Sequence, residues 1–262
     1  MKASIMKKAS LYILILLIGA VTAAVWYRVE KVTTTPPMDT IIIGTNTEFP
    51  PFSFKSDNGD IVGFDIDIIQ EVFKRIDKET IIKDMPFDAL IPEIQIGNIH
   101  VIAAGMSPTD ERAQRTLFTK PHLTGNPLLI ISPKEKEPLT TVADLAGKTV
   151  VVNEGYVADS FMSEQPAVTL VRLSSALVSD GILALQSGRA DAFVAASFSM
   201  KPYFEKHDKN AFYITPIPST EEASAIAISK HYPDLFYLIQ STIDMMIADG
   251  TIEAFKKKWN LV

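Results

Sequence analysis

The sequence predicts an α/β protein of two similar units, each a mostly parallel sheet flanked by helices. Three observations lead there. Short apolar runs alternate with amphipathic helical stretches from residue 41 onward. Glycines and prolines fall at the boundaries between them. A charged, proline-marked stretch, Lys134 to Pro138 (KEKEP), divides the alternation and is expected to be the seam between the units. With 262 residues, 47% of them hydrophobic, the chain can bury a sizeable core as one large domain or two small ones.

The first unit opens with Ile41 to Gly44, a short strand of buried type. Glu48 to Gly63 reads as a loop, with Pro50, Pro51, Asp57, Asn58 and Gly59 supplying turn chemistry. A helix begins at Asp65, because Ile68, Ile69, Val72, Phe73 and Ile76 share one face. Asp65 and Asp67 stand where acids cap a helix start and complement its dipole. The strand IIKDM follows, then an amphipathic helix from Asp88 to Ile96 ended by Gly97. Val101 to Ala104 is a strand, Pro108 to Thr116 a helix, and Pro127 to Ser132 a strand.

The pattern then recurs. Thr141 to Ala146 reads as a short helix stopped by Gly147, followed by the strand Lys148 to Asn153 and the helix Val157 to Glu164. Val168 to Leu173 is a strand, and Ser174 to Ser187 a helix stopped by Gly188. Next come strand Ala190 to Ala195, helix Met200 to Lys206, and strands Phe212 to Thr215 and Ala223 to Ser229. Two helices close the chain, Pro233 to Ala248 and Thr251 to Trp259.

The N-terminus carries an address. Lys2, Lys7 and Lys8 precede an apolar run from Leu11 to Trp26, and Ala20, Ala23 and Ala24 follow its Leu/Ile-rich part. A positive flank, a short apolar centre and small residues describe a secretory signal peptide over residues 1–24, cleaved after Ala23 or Ala24. The alternative is an uncleaved anchor, since the run nearly reaches the ~17 residues of a spanning helix. Residues 25–39 include VTTTPPM, an extended spacer. The chain is therefore expected to be exported, and membrane-tethered if the segment is not cleaved.

Composition removes several function classes. The net charge is −6 with no basic run, which argues against nucleic acid as partner. There is no cysteine, so disulfides, thiolate chemistry and Cys-ligated zinc are excluded. No GxxxxGK[ST], GxGxxG, HExxH or GxSxG occurs. His100, His122, His207 and His231 lack metal-ligand spacing. No cofactor, metal or catalytic residue is expected, and the chain reads as a binder rather than an enzyme.

The segment that carries chemistry is Gly105-Met106-Ser107-Pro108-Thr109-Asp110-Glu111-Arg112. It follows a strand and opens a helix, with Ser107 as expected N-cap and Pro108 at the first helical position. A helix start offers free amides to an anion. Arg112, one turn in, leans back toward the same point and presents a fork that matches a carboxylate. The other reading pairs Arg112 with Asp110 or Glu111 at the surface, and the local pattern leaves both open.

Four motifs bear on that choice: TNTEFPPFSF (Thr45 to Phe54), VGFDIDI (Val62 to Ile68), the run from Phe87 to Ala113, and the pair SGRADAFVA and DGTIEAFKKKW. In this order, from about Thr40 to the C-terminus, they resemble the periplasmic polar-amino-acid-binding proteins of ABC importers, solute-binding protein family 3. The motif order and the acidic, cysteine-free chain resemble most the arginine-binding members. The resemblance implies a type II periplasmic-binding-protein clamshell. Its first lobe would take residues 40–128 and 225–262, with hinge and second lobe over 129–224. Hinge strands are expected near Leu129 to Ser132 and Ser219 to Ala225. It implies a periplasmic location and a monomer that holds one small molecule, L-arginine, and passes it to a membrane ABC importer permease.

Carried over residue by residue, Arg112 falls on the family's carboxylate-binding Arg. Ser107 and Thr109 fall on polar ligand contacts and Gly105 on a backbone contact, and Met106 beside them is expected among the ligand-binding residues. Phe49 and Phe87 fall on two aromatics that sandwich the ligand side chain, where a guanidinium stacks favourably. Asn46 and Glu48 lie on the loop that reads the side-chain tip. Two departures stand out. The family's Gly-Thr-Thr is Gly155-Tyr156-Val157 here, leaving the amides at Val157 and Ala158 for a carboxylate. The Asp that receives the ligand's ammonium is Ala196 here, which makes Glu154 and Glu222 candidates for that role. Alternatives are another polar amino acid (glutamine, histidine, lysine or ornithine), a dehydratase on the same clamshell, or the sensing module of a receptor.

Overall fold

The structure, a computed structural model, describes residues 40–261. The expected export segment (1–24) and spacer (25–39) lie outside the described residues.

Strand β1 (Thr40–Thr45) leads into a meander of β2 (Glu48–Phe49), β3 (Ser53–Lys55) and β4 (Ile61–Val62), where a plain loop was expected. Helix α1 (Phe64–Arg75) and β5 (Glu79–Asp84) follow. A 3-10 turn at Phe87–Ala89 runs into α2 (Leu90–Gln95), then β6 (Val101–Ile102), α3 (Asp110–Ala113), β7 (Leu117–Phe118) and β8 (Leu123–Asn126). The middle of the chain holds β9 (Leu128–Pro133), β10 (Thr149–Asn153), α4 (Val157–Ser163), β11 (Thr169–Leu173), α5 (Val178–Gln186), β12 (Ala192–Ala196), α6 (Ser197–Phe204) and β13 (Phe212–Pro216). The return brings β14 (Glu222–Ser224), β15 (Ala227–Ile228), α7 (Pro233–Ala248) and α8 (Thr251–Lys258).

Among the described residues these strands form two five-stranded sheets with one plan. The first runs β5-β1-β6-β15-β7 and the second β11-β10-β12-β9-β13. In the first, β1 is parallel to β5 and β6, and β15 runs antiparallel to β6 and β7. In the second, β10 is parallel to β11 and β12, and β9 runs antiparallel to β12 and β13. Each sheet thus has four strands pointing one way and one reversed, as the strand–helix alternation predicts. The second sheet is buried on both faces. Val150, Val152 and Val194 pack on one side, Val151, Phe193 and Ala195 on the other. The first lobe's core includes Leu90, Ile94, Ile99, Ile102, Met106 and Ala227.

The chain passes from the first sheet to the second through β8 and β9, and returns through β13 and β14. Strands β8 and β14 pair antiparallel, so the two crossings brace each other. The Lys134 to Pro138 stretch is therefore not the seam. It follows β9, already a strand of the second sheet, and its charges meet solvent, with Lys136 paired to Asp191 at 3.0 Å.

Several helices are shorter than their patterns. Asp88 to Ile96 splits into the 3-10 turn and α2, and Thr141 to Ala146 is a 3-10 turn at Ala143–Leu145. Ser174 to Leu177 stays outside α5, while α6 starts three residues before Met200. The helix expected over Pro108 to Thr116 is one turn, and its N-cap is Thr109 rather than Ser107. Thr109 is extended (φ −71°, ψ 155°) and its hydroxyl accepts from the Arg112 N–H at 3.3 Å, while Ser107 turns its own hydroxyl elsewhere. Asp65 does not cap α1. It is fully buried and binds across the lobe, accepting from the Gly105 N–H at 2.6 Å and facing His122 Nε2 at 3.0 Å. Among the described residues, no helix is long and apolar enough to cross a membrane.

Candidate functional site

The site lies where loops at the ends of strands in both lobes meet. From the first lobe come the β1–β2 loop, the start of the 3-10 turn after β5, and the segment between β6 and α3. Asn46 braces the first of these: its side-chain amide donates to the Met85 carbonyl at 3.2 Å and its oxygen accepts from the Glu48 N–H at 3.2 Å. Phe49 stacks on Phe52 with centroids 5.1 Å apart. Gly105 takes a positive φ of 63°, and a β-carbon there would lie 2.7 Å from the Phe49 ring. Only glycine lets this backbone approach the rings so closely.

Arg112 is 7% exposed. One Nη donates to the Ser107 carbonyl at 2.9 Å, the other across the cleft to the Gly155 carbonyl at 2.8 Å. It does not take the surface pairing with Asp110 or Glu111; Glu111 pairs with Arg115 instead. Its guanidinium carbon stands 5.3 Å from the Phe87 centroid. Burial pushes the Arg112 pKa down, opposed chiefly by Glu222. Glu222 lies at the crossing and accepts from the Ser107 hydroxyl at 2.9 Å. Burial pushes its pKa up to about 7, against the Ser107 hydrogen bond and the Arg112 charge. An acid and an arginine thus share a poorly solvated pocket without a direct bond between them, which leaves both able to take a ligand's opposite charge.

From the second lobe comes Tyr156, the residue before α4. Its ring stacks on Phe87 at 3.9 Å and 20°, and meets Phe49 at 5.0 Å and 56°. The hydroxyl is buried without a hydrogen-bond partner, and burial holds its pKa well above the usual phenol value. Glu48 also reaches across, its carboxylate accepting from the Ala176 N–H at 3.1 Å.

Two cavities open in this cleft. One, about 360 Å³, is lined by Ser107, Thr109, Val157, Phe161, Thr220 and Glu222 among others. The second, about 650 Å³, is lined by Asn46, Glu48, Met85, Ser174 and Ser175 among others.

The structure therefore gathers Asn46, Glu48, Phe49, Phe87, Gly105, Ser107, Thr109, Arg112, Val157 and Glu222 around one cleft. Met106 departs from the expectation: its side chain is fully buried in the first-lobe core, and only its backbone faces β14, accepting from Ala225 N–H at 3.0 Å. The Gly105 N–H is committed to Asp65. Glu154 also departs: it is exposed, and its N–H extends the pairing of β10 with β11. Tyr156, Ala176 and the Asp65–His122 pair were not expected at the site. The one signal for Tyr156 was its large ring at a position where threonine was expected. Among the described residues no cluster of His, Cys, Asp or Glu could hold a metal.

Comparison with known proteins places this geometry in context. Residues 41–262 match the family described as bacterial extracellular solute-binding proteins, family 3. The arginine-binding extracellular protein ArtP of Bacillus subtilis is 29% identical over 221 residues, covering 84% of this chain and 85% of that protein. The histidine-binding periplasmic protein of Salmonella typhimurium is 30% identical over 226 residues, covering 84% and 86%. The solved structure of an ancestral arginine-binding protein bound to arginine superposes with a TM-score of 0.77 at 30% identity, covering 85% of this chain and 98% of the other.

Proposed function

Because the chain belongs to family 3 of the bacterial extracellular solute-binding proteins, we propose that it binds L-arginine in the inter-lobe cleft and delivers it to the permease of an ABC importer. It acts as an exported monomer whose lobes, residues 40–128 with 225–262 against 129–224, close about the two crossings.

The observation that carries this reading is Arg112. Its guanidinium is buried in the cleft and, among the described residues, hydrogen-bonds only to neutral carbonyls. A buried charge answered by carbonyls alone is well placed to gain from an anion of matching shape. The α-carboxylate of an amino acid fits the fork, with the Ser107 and Thr109 hydroxyls beside it. Glu222, held by Ser107 next to Arg112, takes the α-ammonium in place of the acid missing at Ala196. Phe49 and Phe87 flank the side chain, and Glu48 at the far end receives the guanidinium. A head group with both charges and a flat cationic tip matches these groups in order. Names of relatives add support, since both arginine-binding and histidine-binding proteins are among them.

The test is calorimetric titration of the purified protein against the twenty amino acids, ornithine and citrulline. Arginine is expected to bind with micromolar or tighter affinity, about 8 kcal/mol or more. No heat from any polar amino acid at millimolar concentration would refute the reading. Glutamine or histidine outcompeting arginine would keep the class and overturn the ligand.

A further inference from the structure

We propose that Gly155 and Tyr156 form an internal occupant of the cleft, one that a ligand must displace and that thereby sets affinity and selectivity. Four first-lobe residues assigned to the ligand, Arg112, Phe49, Phe87 and Glu48, already have second-lobe partners. Arg112 donates to the Gly155 carbonyl at 2.8 Å, as it would to a carboxylate oxygen. The Tyr156 ring lies against Phe87 at 3.9 Å and Phe49 at 5.0 Å, in the slot of a flat side chain. The Glu48 carboxylate accepts the Ala176 N–H at 3.1 Å, where it would take a cationic N–H. Gly155 and Tyr156 thus present a carbonyl to the clamp and a ring to the sandwich, the layout of an amino acid with a planar side chain.

Each of these substitutes is weaker than the group it imitates. A neutral carbonyl answers a guanidinium less strongly than a carboxylate does. An amide N–H gives Glu48 less than a charged donor would. The Tyr156 hydroxyl is buried with no partner, a state that favours leaving. The occupant persists because it is tethered, so its effective concentration is high. A ligand that supplies both a carboxylate and a flat, charged side chain recovers what the loop gives up. Glycine or serine recovers only the clamp and is rejected.

The inference rests on the amino-acid reading above for the nature of the ligand, but the occupancy itself is tested apart from it. The chain has no cysteine, so spin labels can be placed by Ile81→Cys on β5 and Leu183→Cys on α5, both exposed. In the full chain, dialysed free of ligand, the inter-label distance is expected to be short and narrow. In Tyr156→Ala it should be longer and broader, while Tyr156→Phe, which keeps the ring, should match the wild type. Calorimetry is then read on the same proteins. Tyr156→Ala is expected to bind arginine roughly tenfold or more tightly than the wild type, because the binding-competent fraction rises. Glycine and serine should gain less. Weaker arginine binding by Tyr156→Ala would overturn the inference and make Tyr156 a ligand contact. Equal distances in wild type and Tyr156→Ala, with circular dichroism showing both folded, would overturn it too. If the distances behave as expected but none of the proteins binds an amino acid, the occupant stands and the ligand assignment falls.

Discussion

Replacing Arg112 with alanine removes a guanidinium that is 7% exposed, bonded to one carbonyl in each lobe and near the Glu222 carboxylate. Two effects follow, and they separate in the assay. The Ser107 carbonyl keeps the Thr109 N–H at 3.0 Å but loses its second donor, and the Gly155 carbonyl loses its Arg112 donor, which destabilises the fold by about 1–3 kcal/mol for an acceptor that water cannot reach. The Ser107 carbonyl is on the buried side, and Gly155 is partly exposed, so the loss should sit near the lower end. The ligand carboxylate loses a desolvated, forked charge partner, worth about 2–5 kcal/mol. At about 1.4 kcal/mol per decade, that weakens arginine binding by roughly 30-fold to several thousand-fold. Arg112→Lys keeps the charge without the fork and should recover only a minor part. Calorimetry with arginine measures the affinity, and denaturant unfolding measures stability on the same samples. A clear loss of stability with affinity within about threefold of wild type would refute the clamp and leave Arg112 as an inter-lobe latch.

Glu222, with its pKa raised from 4.5 to about 7, holds a proton in the folded chain that the unfolded chain releases earlier. Stability should therefore fall as pH rises through that window, and Glu222→Gln should flatten the dependence; Ser107, Arg112 and Tyr156 face it and stay in place, so an unchanged profile would show that Glu222 titrates normally. At the tip, citrulline should bind more weakly than arginine by roughly 1.5–3 kcal/mol, and Glu48→Gln should narrow that gap in competition titrations; an unaffected gap would assign the tip to another acid. Removing the Asp65 carboxylate by Asp65→Ala leaves the Gly105 N–H and His122 Nε2 buried without a partner, and should lower unfolding free energy by about 3 kcal/mol or more in urea titrations.

Features set by near neighbours along the chain were legible in the sequence. The alternation of Val- and Ile-rich runs with 3.6-residue patterns gave strands and helices, and Gly97, Gly147 and Gly188 each end a helix or turn with positive φ. The motif from Phe87 to Ala113 marked Phe87, Ser107, Thr109 and Arg112, which face the cleft from the first lobe. The limits of the α3 helix were not legible: Ser107 and Thr109 are both good caps, and only the hydrogen bond from Ser107 to Glu222, 115 residues away, leaves the cap to Thr109. Asp65 reads locally as a helix-start acid, yet the fold buries it between Gly105 and His122.

The sequence by itself determined the α/β class and the family, and it singled out the first-lobe segment proposed as the carboxylate clamp, because periodicity, glycine placement and ordered motifs are local properties. Tertiary structure decided what fills the cleft. Glu154 and Glu222 were equal candidates in one dimension; packing puts Glu222 beside Ser107 and Arg112 and turns Glu154 to solvent. Tyr156 was only a missing threonine, and its stacking on Phe87 and tilted contact with Phe49 depend on how the second lobe meets the first. Contacts between residues 69 to 115 positions apart follow from the packing of whole sheets, and no window of neighbouring residues encodes them.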